Sequence, residues 1–256
     1  MNQFIAFTKK ELWESVATFR LYILLAVFAL LGVMGPLMAL LTPAILESLA
    51  TGDTGITIIL PEPTYVDAWV QFFSGFAQMG TLALAVIFSG IMGSEFSKGT
   101  LINLLTKGLK RHTVILSKFF SAGVLWTGAI IISVGVAYVY TAIYFETEPI
   151  PHFVLVFGAP WLFGLFMITL LILGGTLFGN LYGSLAVGLG TFFTLLILNI
   201  IPAVERFNPV SLSSGTLAII MGTSEASDFI PAVIVCTISI IVLVIGAIII
   251  FNKKKV

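Results

Sequence analysis

Residues 232–251 read AVIVCTISIIVLVIGAIIIF, a run of 20 residues without a charged side chain. Five further stretches share this property, and each is 21 to 27 residues long: Leu21–Leu41, Val70–Gly93, Phe119–Phe145, Phe153–Phe178 and Leu181–Val204. An α-helix needs about 20 apolar residues to cross the hydrocarbon core of a bilayer. The sequence therefore predicts an all-α integral membrane protein with six transmembrane helices, folded as a single transmembrane domain over residues 1–256.

The composition excludes several classes of protein. The chain is 59% hydrophobic and 9% charged, whereas a soluble domain carries about 25% charged residues, so no sizeable soluble domain is expected. Proton and ion pumps place ionisable groups inside their spans, but the six stretches contain no Asp, Glu, Lys, Arg or His. If this protein moves a cargo uphill, we expect the energy to come from another chain. The single cysteine, Cys236, indicates neither a disulfide nor a metal site.

Basic residues are divided unevenly between the two sides of the membrane. If the N-terminus is cytoplasmic, the cytoplasmic segments are 1–20, 94–118, 179–180 and 252–256. These segments contain eleven of the twelve lysines and arginines, and Arg206 is the exception. The outer segments contain nine of the twelve acidic residues. Because Lys and Arg favour the cytoplasmic side, we expect both termini in the cytoplasm and a multi-pass location in a bacterial cell (plasma) membrane.

The first twenty residues have the pattern of an amphipathic helix. Their apolar positions form one stripe, which consists of Ile5, Leu12, Val16 and Phe19. Lys10, Glu11 and Glu14 lie on the opposite face, and Lys10 and Glu14 have the i,i+4 spacing that favours an ion pair. The pattern predicts an interfacial elbow helix over residues 1–20, lying along the cytoplasmic leaflet before the first span. The alternative is a simple cytoplasmic extension of that span.

Two other connections are informative. The extracellular loop 205–231 is semi-apolar between Val210 and Met221, so it either dips back toward the membrane as a re-entrant segment or lies on the surface as an amphipathic helix. The fourth and fifth stretches are separated by Gly179 and Asn180 alone. These two spans should therefore form an antiparallel hairpin.

The one substantial cytoplasmic loop is segment 94–118, in which residues 94–111 read SEFSKGTLINLLTKGLKR. Thr100 begins a short helical pattern that Gly108 ends, and its apolar face consists of Leu101, Leu104 and Leu105. A short helix that presents leucines to the cytosol makes physical sense if a partner protein supplies a groove. The alternative is an interfacial helix that directs basic residues toward anionic lipid: Lys107, Lys110 and Arg111.

The loop also carries an ordered set of residues: Glu95, Gly99, Thr100, Leu101, Leu104, Leu105, Lys110 and Arg111. This set resembles the loop after the second span in the permease subunits of type-2 ATP-binding-cassette (ABC-2) exporters. The N-terminal helix, the six spans and the long loop before the last span extend the resemblance over nearly the whole chain. The resemblance implies that the loop is a coupling element that rests on a separate cytoplasmic ABC ATPase subunit, present in two copies. It also implies a second permease subunit, which would make a homodimer around a translocation path.

ATP hydrolysis is expected on the partner and not on this chain. The sequence contains no G-x-x-x-x-G-K-[ST] phosphate loop, so we expect no enzyme activity here. ATP and Mg belong to the partner ATPase, and no cofactor or metal is expected on this chain. Besides the ATPase and the second permease subunit, the expected partner is the lipid bilayer, and no nucleic acid is expected to bind.

Three amide side chains lie inside the charge-free stretches: Gln71, Gln78 and Asn199. Gln71 and Gln78 are seven residues apart and would share one face of a regular helix. Each amide is a candidate for the translocation path, or for a hydrogen bond across a helix interface. A largely apolar path suits a hydrophobic or amphipathic cargo, such as a peptide or a lipid-like molecule.

Other functions agree with parts of the sequence. An ATPase-independent membrane scaffold or channel would lack a stable ATPase partner. An intramembrane enzyme is disfavoured because His112 and His152, the two histidines, fall on opposite sides of the membrane in the predicted topology. Ser184 has no histidine in any span to activate it. An ABC-2-like complex used for immunity, sensing or biogenesis would share all the features of an exporter.

Overall fold

The computed structural model describes residues 3–50, 62–97, 99–100, 105–106, 108–146 and 148–254. Six helical segments in these ranges are long and apolar enough to cross a membrane, and they are called span 1 to span 6 below. In chain order they are Arg20–Ser48, Tyr65–Phe96, Arg111–Tyr144, Phe153–Phe178, Leu181–Leu198 and Ala226–Lys253. The described chain is all-helical, and the predicted number of membrane helices is confirmed.

Some spans consist of more than one helix. Span 1 belongs to the helix Arg20–Ala50, whereas span 2 combines Tyr65–Gly75, a π-helical turn Phe76–Gly80, Thr81–Phe88 and Gly90–Ser97. Span 6 combines the 3-10 turn Ala226–Phe229 with the helix Ile230–Lys253. Further helices among the described residues are the N-terminal helix Gln3–Ala17 and three short helices between span 5 and span 6: Pro202–Glu205, Ser211–Ser214 and Leu217–Ile220.

The helices do not end where the charge-free stretches end. Span 3 begins at Arg111 and not near Phe119, and the helix of span 2 continues through Glu95. Absence of charge measures the thickness of the hydrocarbon core, whereas a helix can continue into the interface, where charged ends are solvated or paired. Span 5 is instead shorter than predicted and ends at Leu198. Pro202 lies at the start of the next short helix, a position that suits proline because its missing N–H needs no partner there.

Aromatic side chains hold the first four spans together. Phe28 of span 1 packs edge-on against Trp126 of span 3, with ring centroids 5.2 Å apart. Trp69 of span 2 packs in the same way against Phe157 of span 4, also at 5.2 Å. Such edge-to-face pairs add to the stabilisation from burial. Span 4 is the most buried of the six, while span 5 and span 6 leave most of their surface free to face lipid or a partner.

Span 4 and span 5 form the predicted antiparallel hairpin. Gly179 makes the turn with φ +71°, and the side-chain oxygen of Asn180 accepts a hydrogen bond from the Gly183 N–H at 2.7 Å, which caps span 5. The Ser184 hydroxyl donates to the Leu171 carbonyl oxygen at 2.7 Å across the hairpin. The two helices approach closely at Gly174, where an added Cβ would lie 2.8 Å from the Gly183 oxygen.

The N-terminal helix is separate from span 1. It ends at Ala17, and Phe19 has a left-handed φ of +58°, which a continuous helix does not allow. A simple extension of span 1 is therefore wrong. Ile5 and Phe19 of the predicted stripe point outward and are 59% and 66% exposed, whereas Glu11 is buried against the spans. Glu11 of the predicted charged face thus turns into the protein while Lys10 stays exposed; the position of this helix on the membrane surface stays a prediction.

Candidate functional site

Two regions bring together the residues that the sequence singled out. One is a group of charged side chains where the N-terminal helix meets span 2 and span 3, and it is called the inner cluster. It consists of Lys10, Glu11, Glu14, Glu95, Thr100 and Lys118. The other is a large cavity at the opposite end of span 2, called the outer cavity. The names follow the predicted topology, in which residues 99–110 face the cytoplasm.

Lys118 is the buried centre of the inner cluster. It lies in span 3 with 2% of its side chain exposed, and its Nζ is 2.9 Å from Glu11 Oε2 and 3.2 Å from Glu95 Oε1. A buried ammonium group is costly unless charged partners surround it. Here the partners come from two other elements, the N-terminal helix and the end of span 2. The three elements are therefore tied at one point.

Lys10 closes the cluster from the solvent side. Its Nζ lies 2.8 Å from Glu95 Oε1, 3.1 Å from Glu11 Oε1 and 2.6 Å from Glu14 Oε2, so the predicted pair of Lys10 with Glu14 is confirmed. Burial lowers the pKa of Lys10, but hydrogen bonds to Glu14 and Glu95 and the neighbouring negative charges outweigh it and raise the pKa above its usual 10.5. Lys10 therefore stays charged at neutral pH.

Glu95 connects the cluster to the cytoplasmic loop. The Thr100 hydroxyl donates a hydrogen bond to Glu95 Oε2, while Glu95 Oε1 accepts hydrogen bonds from Lys10 Nζ and Lys118 Nζ. The carboxylate, 3% exposed, is thus shared between the loop, span 3 and the N-terminal helix. Carboxylate oxygens of Glu11, Glu14 and Glu95 all lie within 4.8 Å of one another. The ammonium groups of Lys10 and Lys118 lie among these oxygens and pair with them, so two of the three negative charges are matched by lysine.

The sequence did not single out Glu11 or Lys118 as functional residues. Both were counted as cytoplasmic charges, in positions that solvent would reach. The available signal was the place of Lys118, which directly precedes the charge-free stretch that begins at Phe119. A charge that close to the membrane, on a helix that continues into the cytoplasm, needs a partner or a path to water.

The rest of the loop is described only in part. Leu101, Leu104 and Lys107 lie outside the described residues, so their predicted contacts stay predictions. Gly99 and Gly108 have φ of +64° and +87°, a conformation that favours glycine, and Gly108 ends the short helical turn as predicted. Leu105 is half-buried against the core of this chain, which leaves only part of its surface for a partner.

The two basic residues at the end of the loop have different environments. Lys110 is exposed, as predicted for a cytosolic contact. Arg111 instead donates hydrogen bonds from Nη1 to the carbonyl oxygens of Phe251 and Lys254, both at 2.6 Å. It caps the C-terminal end of span 6, where carbonyl groups lack helical partners. Nη1 of Arg111 is therefore engaged within the chain, and the contact of Arg111 with an ATPase stays a prediction.

The outer cavity has a volume of about 1050 Å³ and lies between the middle of span 2, the end of span 5 and the segment before span 6. Gln78 and Asn199, two of the three predicted path residues, line it, whereas Gln71 is not among its lining residues. Gln71 precedes Ser74, the first residue of span 2 that lines the cavity, and a π-helical turn Phe76–Gly80 widens span 2 around Gln78. Asn199 Oδ1 is buried and has no hydrogen-bond partner among the described residues.

The segment before span 6 folds into the protein. The Asn208 amide donates to the Leu195 carbonyl oxygen at 2.8 Å, and the Thr216 hydroxyl donates to the Val156 oxygen at 3.2 Å. Ser213 lines a small cavity together with Gly164, which is eleven residues into span 4 and so about 16 Å from its start. The short helices and turns of this segment are in contact with neighbouring spans, the condition for interrupted helical backbone at membrane depth. Its depth in a real bilayer stays a prediction.

The two histidines do not form a site. His112 lies in the first turn of span 3, and His152 precedes the first residue of span 4, with a left-handed φ of +47°. Span 3 separates the two positions, so they lie at opposite ends of the bundle. This arrangement agrees with the argument against an enzyme that relies on paired histidines.

The fold and the apolar helices define a multi-pass helical membrane protein. No family model matches the chain. The chain is a distant homologue of the uncharacterized transmembrane protein YxlG of Bacillus subtilis (strain 168), with 24% identity over 193 residues that cover 74% of each protein. The similarity supports the membrane assignment and a bacterial relative.

Proposed function

We propose that this chain is the membrane-spanning permease subunit of an ATP-driven ABC-2 exporter, coupled to a separate cytoplasmic ATPase. It would work as a homodimer with two ATPase copies, and its cargo would be hydrophobic or amphipathic. ATP and Mg would bind the ATPase alone. The alternative is an ATPase-independent scaffold or channel, and an intramembrane enzyme is less well supported.

The observation that carries the proposal is the shared carboxylate of Glu95. A coupling loop has to pass a displacement on the cytoplasmic side to the membrane helices. Thr100 of the loop is hydrogen-bonded to Glu95, and Glu95 is in turn ion-paired with Lys118 of span 3 and Lys10 of the N-terminal helix. A force on the loop near Thr100 would therefore reach three membrane-associated elements through one side chain. A scaffold or passive channel would have no need for such a connection.

The outer cavity supports the second half of the proposal. A cargo path needs space inside the membrane domain, and this cavity of about 1050 Å³ extends from the middle of span 2 to the outer end of span 5. Its walls combine aromatic and aliphatic side chains with the amides of Gln78 and Asn199. Such a mixture suits amphipathic molecules better than ions or sugars.

The test is purification of the tagged chain from membranes of its own host. We expect an ATPase with a phosphate-loop motif in a one-to-one ratio, and ATP turnover only when that subunit is present. Leu104→Ala combined with Leu105→Ala should reduce the amount of ATPase that co-purifies, because each buried leucine contributes about 1.5–3 kcal/mol. Glu95→Gln should retain the ATPase and lower cargo-dependent turnover, since shape is kept and charge is lost.

Two leucines at the C-terminal end of span 1 provide the matched control. Leu41→Ala combined with Leu46→Ala removes the same volume far from the loop, and ATPase binding should be unchanged. Wild-type ATPase ratio and activity in the Leu104 and Leu105 double variant would show that the loop is not the coupling element. Absence of any ATPase partner, with ion flux through the purified chain, would favour the channel instead.

A further inference from the structure

We propose that the outer cavity binds a zwitterionic phospholipid, with its anionic group at Arg206, its cationic group at Glu205 and its acyl chains between span 2 and span 5. The proposal deepens the proposed function, because the lipid bound there would be the cargo or a close chemical relative of it. Three features of the cavity support it: the outer arginine, the carboxylates beside it and the opening along apolar side chains.

Arg206 is the exception to the distribution of basic residues. Eleven of the twelve lysines and arginines belong to segments predicted to be cytoplasmic, and Arg206 alone belongs to the outer side. It lines the outer cavity and is exposed there. Its guanidinium forms no ion pair among the described residues. A guanidinium that is free to form two parallel hydrogen bonds suits a phosphate group.

Carboxylates line the same end of the cavity. Glu205 is exposed next to Arg206, and Asp228 also lines the cavity, although Asp228 Oδ2 already accepts a hydrogen bond from the Glu225 N–H at 3.1 Å. A simple anion would be attracted by Arg206 but repelled by the two acids, and a simple cation would meet the opposite conflict. A headgroup that carries both charges matches both signs, which is the usual basis of electrostatic specificity.

The lower part of the cavity is open along apolar side chains. Leu82, Phe193 and Leu196 line the cavity and are exposed, at 38%, 51% and 39%. Leu82 lies near the middle of span 2, so this opening faces the hydrocarbon core of a bilayer. A lipid can leave its chains in the bilayer and place only its headgroup at the charged end. A hydrophobic peptide would have to bring its whole backbone into the opening, with polar groups left unpaired.

The exposed carboxylate of Glu205 selects among cationic headgroups. Asn199 Oδ1 has no hydrogen-bond partner among the described residues but is shielded from solvent, whereas Glu205 lines the cavity and is exposed. An ammonium headgroup can donate a charge-assisted hydrogen bond to the Glu205 carboxylate, and a headgroup without N–H groups cannot. We therefore expect phosphatidylethanolamine, whose ammonium group carries N–H donors, to bind better than phosphatidylcholine, whose headgroup nitrogen has none.

The experiment measures binding to the purified full-length chain in nonionic maltoside micelles, without nucleotide or ATPase. The probes are phosphatidylethanolamine, phosphatidylcholine and phosphatidylglycerol with the same fluorescent acyl chain. We expect the tightest binding for phosphatidylethanolamine. Arg206→Gln should weaken all three probes about tenfold, since a charge-assisted hydrogen bond is lost. Glu205→Gln should weaken the zwitterionic probes severalfold and strengthen phosphatidylglycerol.

Lys9→Gln is the matched control, because Lys9 is an exposed basic residue at the inner end and its loss should change nothing. Equal affinity of the wild type and Arg206→Gln would overturn the proposal. Preference of the wild type for phosphatidylglycerol would also overturn it, because the carboxylates would then not select the headgroup. Binding of a fluorescent hydrophobic peptide with no lipid binding would assign the cavity to peptides. Since no ATPase is present, none of these results depends on the exporter assignment.

Discussion

Lys118 Nζ lies 3.2 Å from Glu95 Oε1, and the two side chains are 2% and 4% exposed. The residues belong to span 3 and span 2 and are separated in sequence by the loop that the ABC-2 resemblance singles out. The pair therefore closes the base of that loop inside the protein. Glu11 and Lys10 extend the pair from the N-terminal helix. The inner cluster is a joint between the loop and the helices on either side of it.

Replacement of Lys118 by methionine should strongly destabilise the protein. A methionine side chain has nearly the same length as lysine but no charge, so Glu11 and Glu95 would lose their buried partner. Removal of one member of a buried ion pair costs about 3–5 kcal/mol. A large fall in the unfolding temperature of the detergent-purified protein is the expected result. Lys9→Met is the control, because Lys9 is an exposed residue of the N-terminal helix. An equal effect of both changes would show that the buried ion pairs of Lys118 do not stabilise the protein.

Arg111→Ala should loosen the C-terminal end of span 6. The change removes the donors to the Phe251 and Lys254 carbonyl oxygens, and each unsatisfied buried acceptor costs about 1–3 kcal/mol. We expect faster hydrogen exchange over the last turn of span 6 and a lower unfolding temperature. The neighbouring change Lys110→Ala should be nearly silent, because Lys110 is exposed. Similar exchange in both variants would show that the cap does not stabilise the helix.

Gly174→Ala should separate span 4 from span 5. An added Cβ would lie 2.8 Å from both the Gly183 oxygen and Val187 Cβ, so backbone has to move. Overpacking of this kind costs about 1–3 kcal/mol. Gly190→Ala in span 5 adds the same methyl group with no atom within 4 Å, and should be neutral or slightly stabilising. Thermal unfolding of the two variants distinguishes them, and equal stability would place the close approach elsewhere.

Labelling of cysteines tests the orientation in the membrane. In a Cys236→Ala background, Lys110→Cys should react only from the cytoplasmic side and Glu146→Cys only from outside. The basic residues motivate this orientation, and the odd number of spans between the two positions requires them to lie on opposite sides. An impermeant maleimide applied to intact cells, and then to opened cells, measures it. Labelling of both positions in intact cells would refute the predicted topology.

Part of this architecture follows from the sequence alone. The six charge-free stretches determined the number of spans, because in a bilayer each helix has to satisfy its own backbone hydrogen bonds and bury its own apolar length. Both conditions are local and can be read residue by residue. The hairpin of span 4 and span 5 was predictable for the same reason, since two residues leave the chain no other route. The pair of Lys10 with Glu14 depends only on helical spacing.

Tertiary structure decided the features on which function depends. Lys118 and Glu11 are 107 residues apart, and no periodicity in the sequence relates them. Gln78 lines the outer cavity and Gln71 does not, although a regular helix would place both on one face. Arg111 caps span 6, and its partner carbonyl groups come from the other end of the chain, 140 residues away in the case of Phe251. Composition fixes which segments enter the membrane, whereas contacts between distant segments fix which charges are paired and which amides line a cavity.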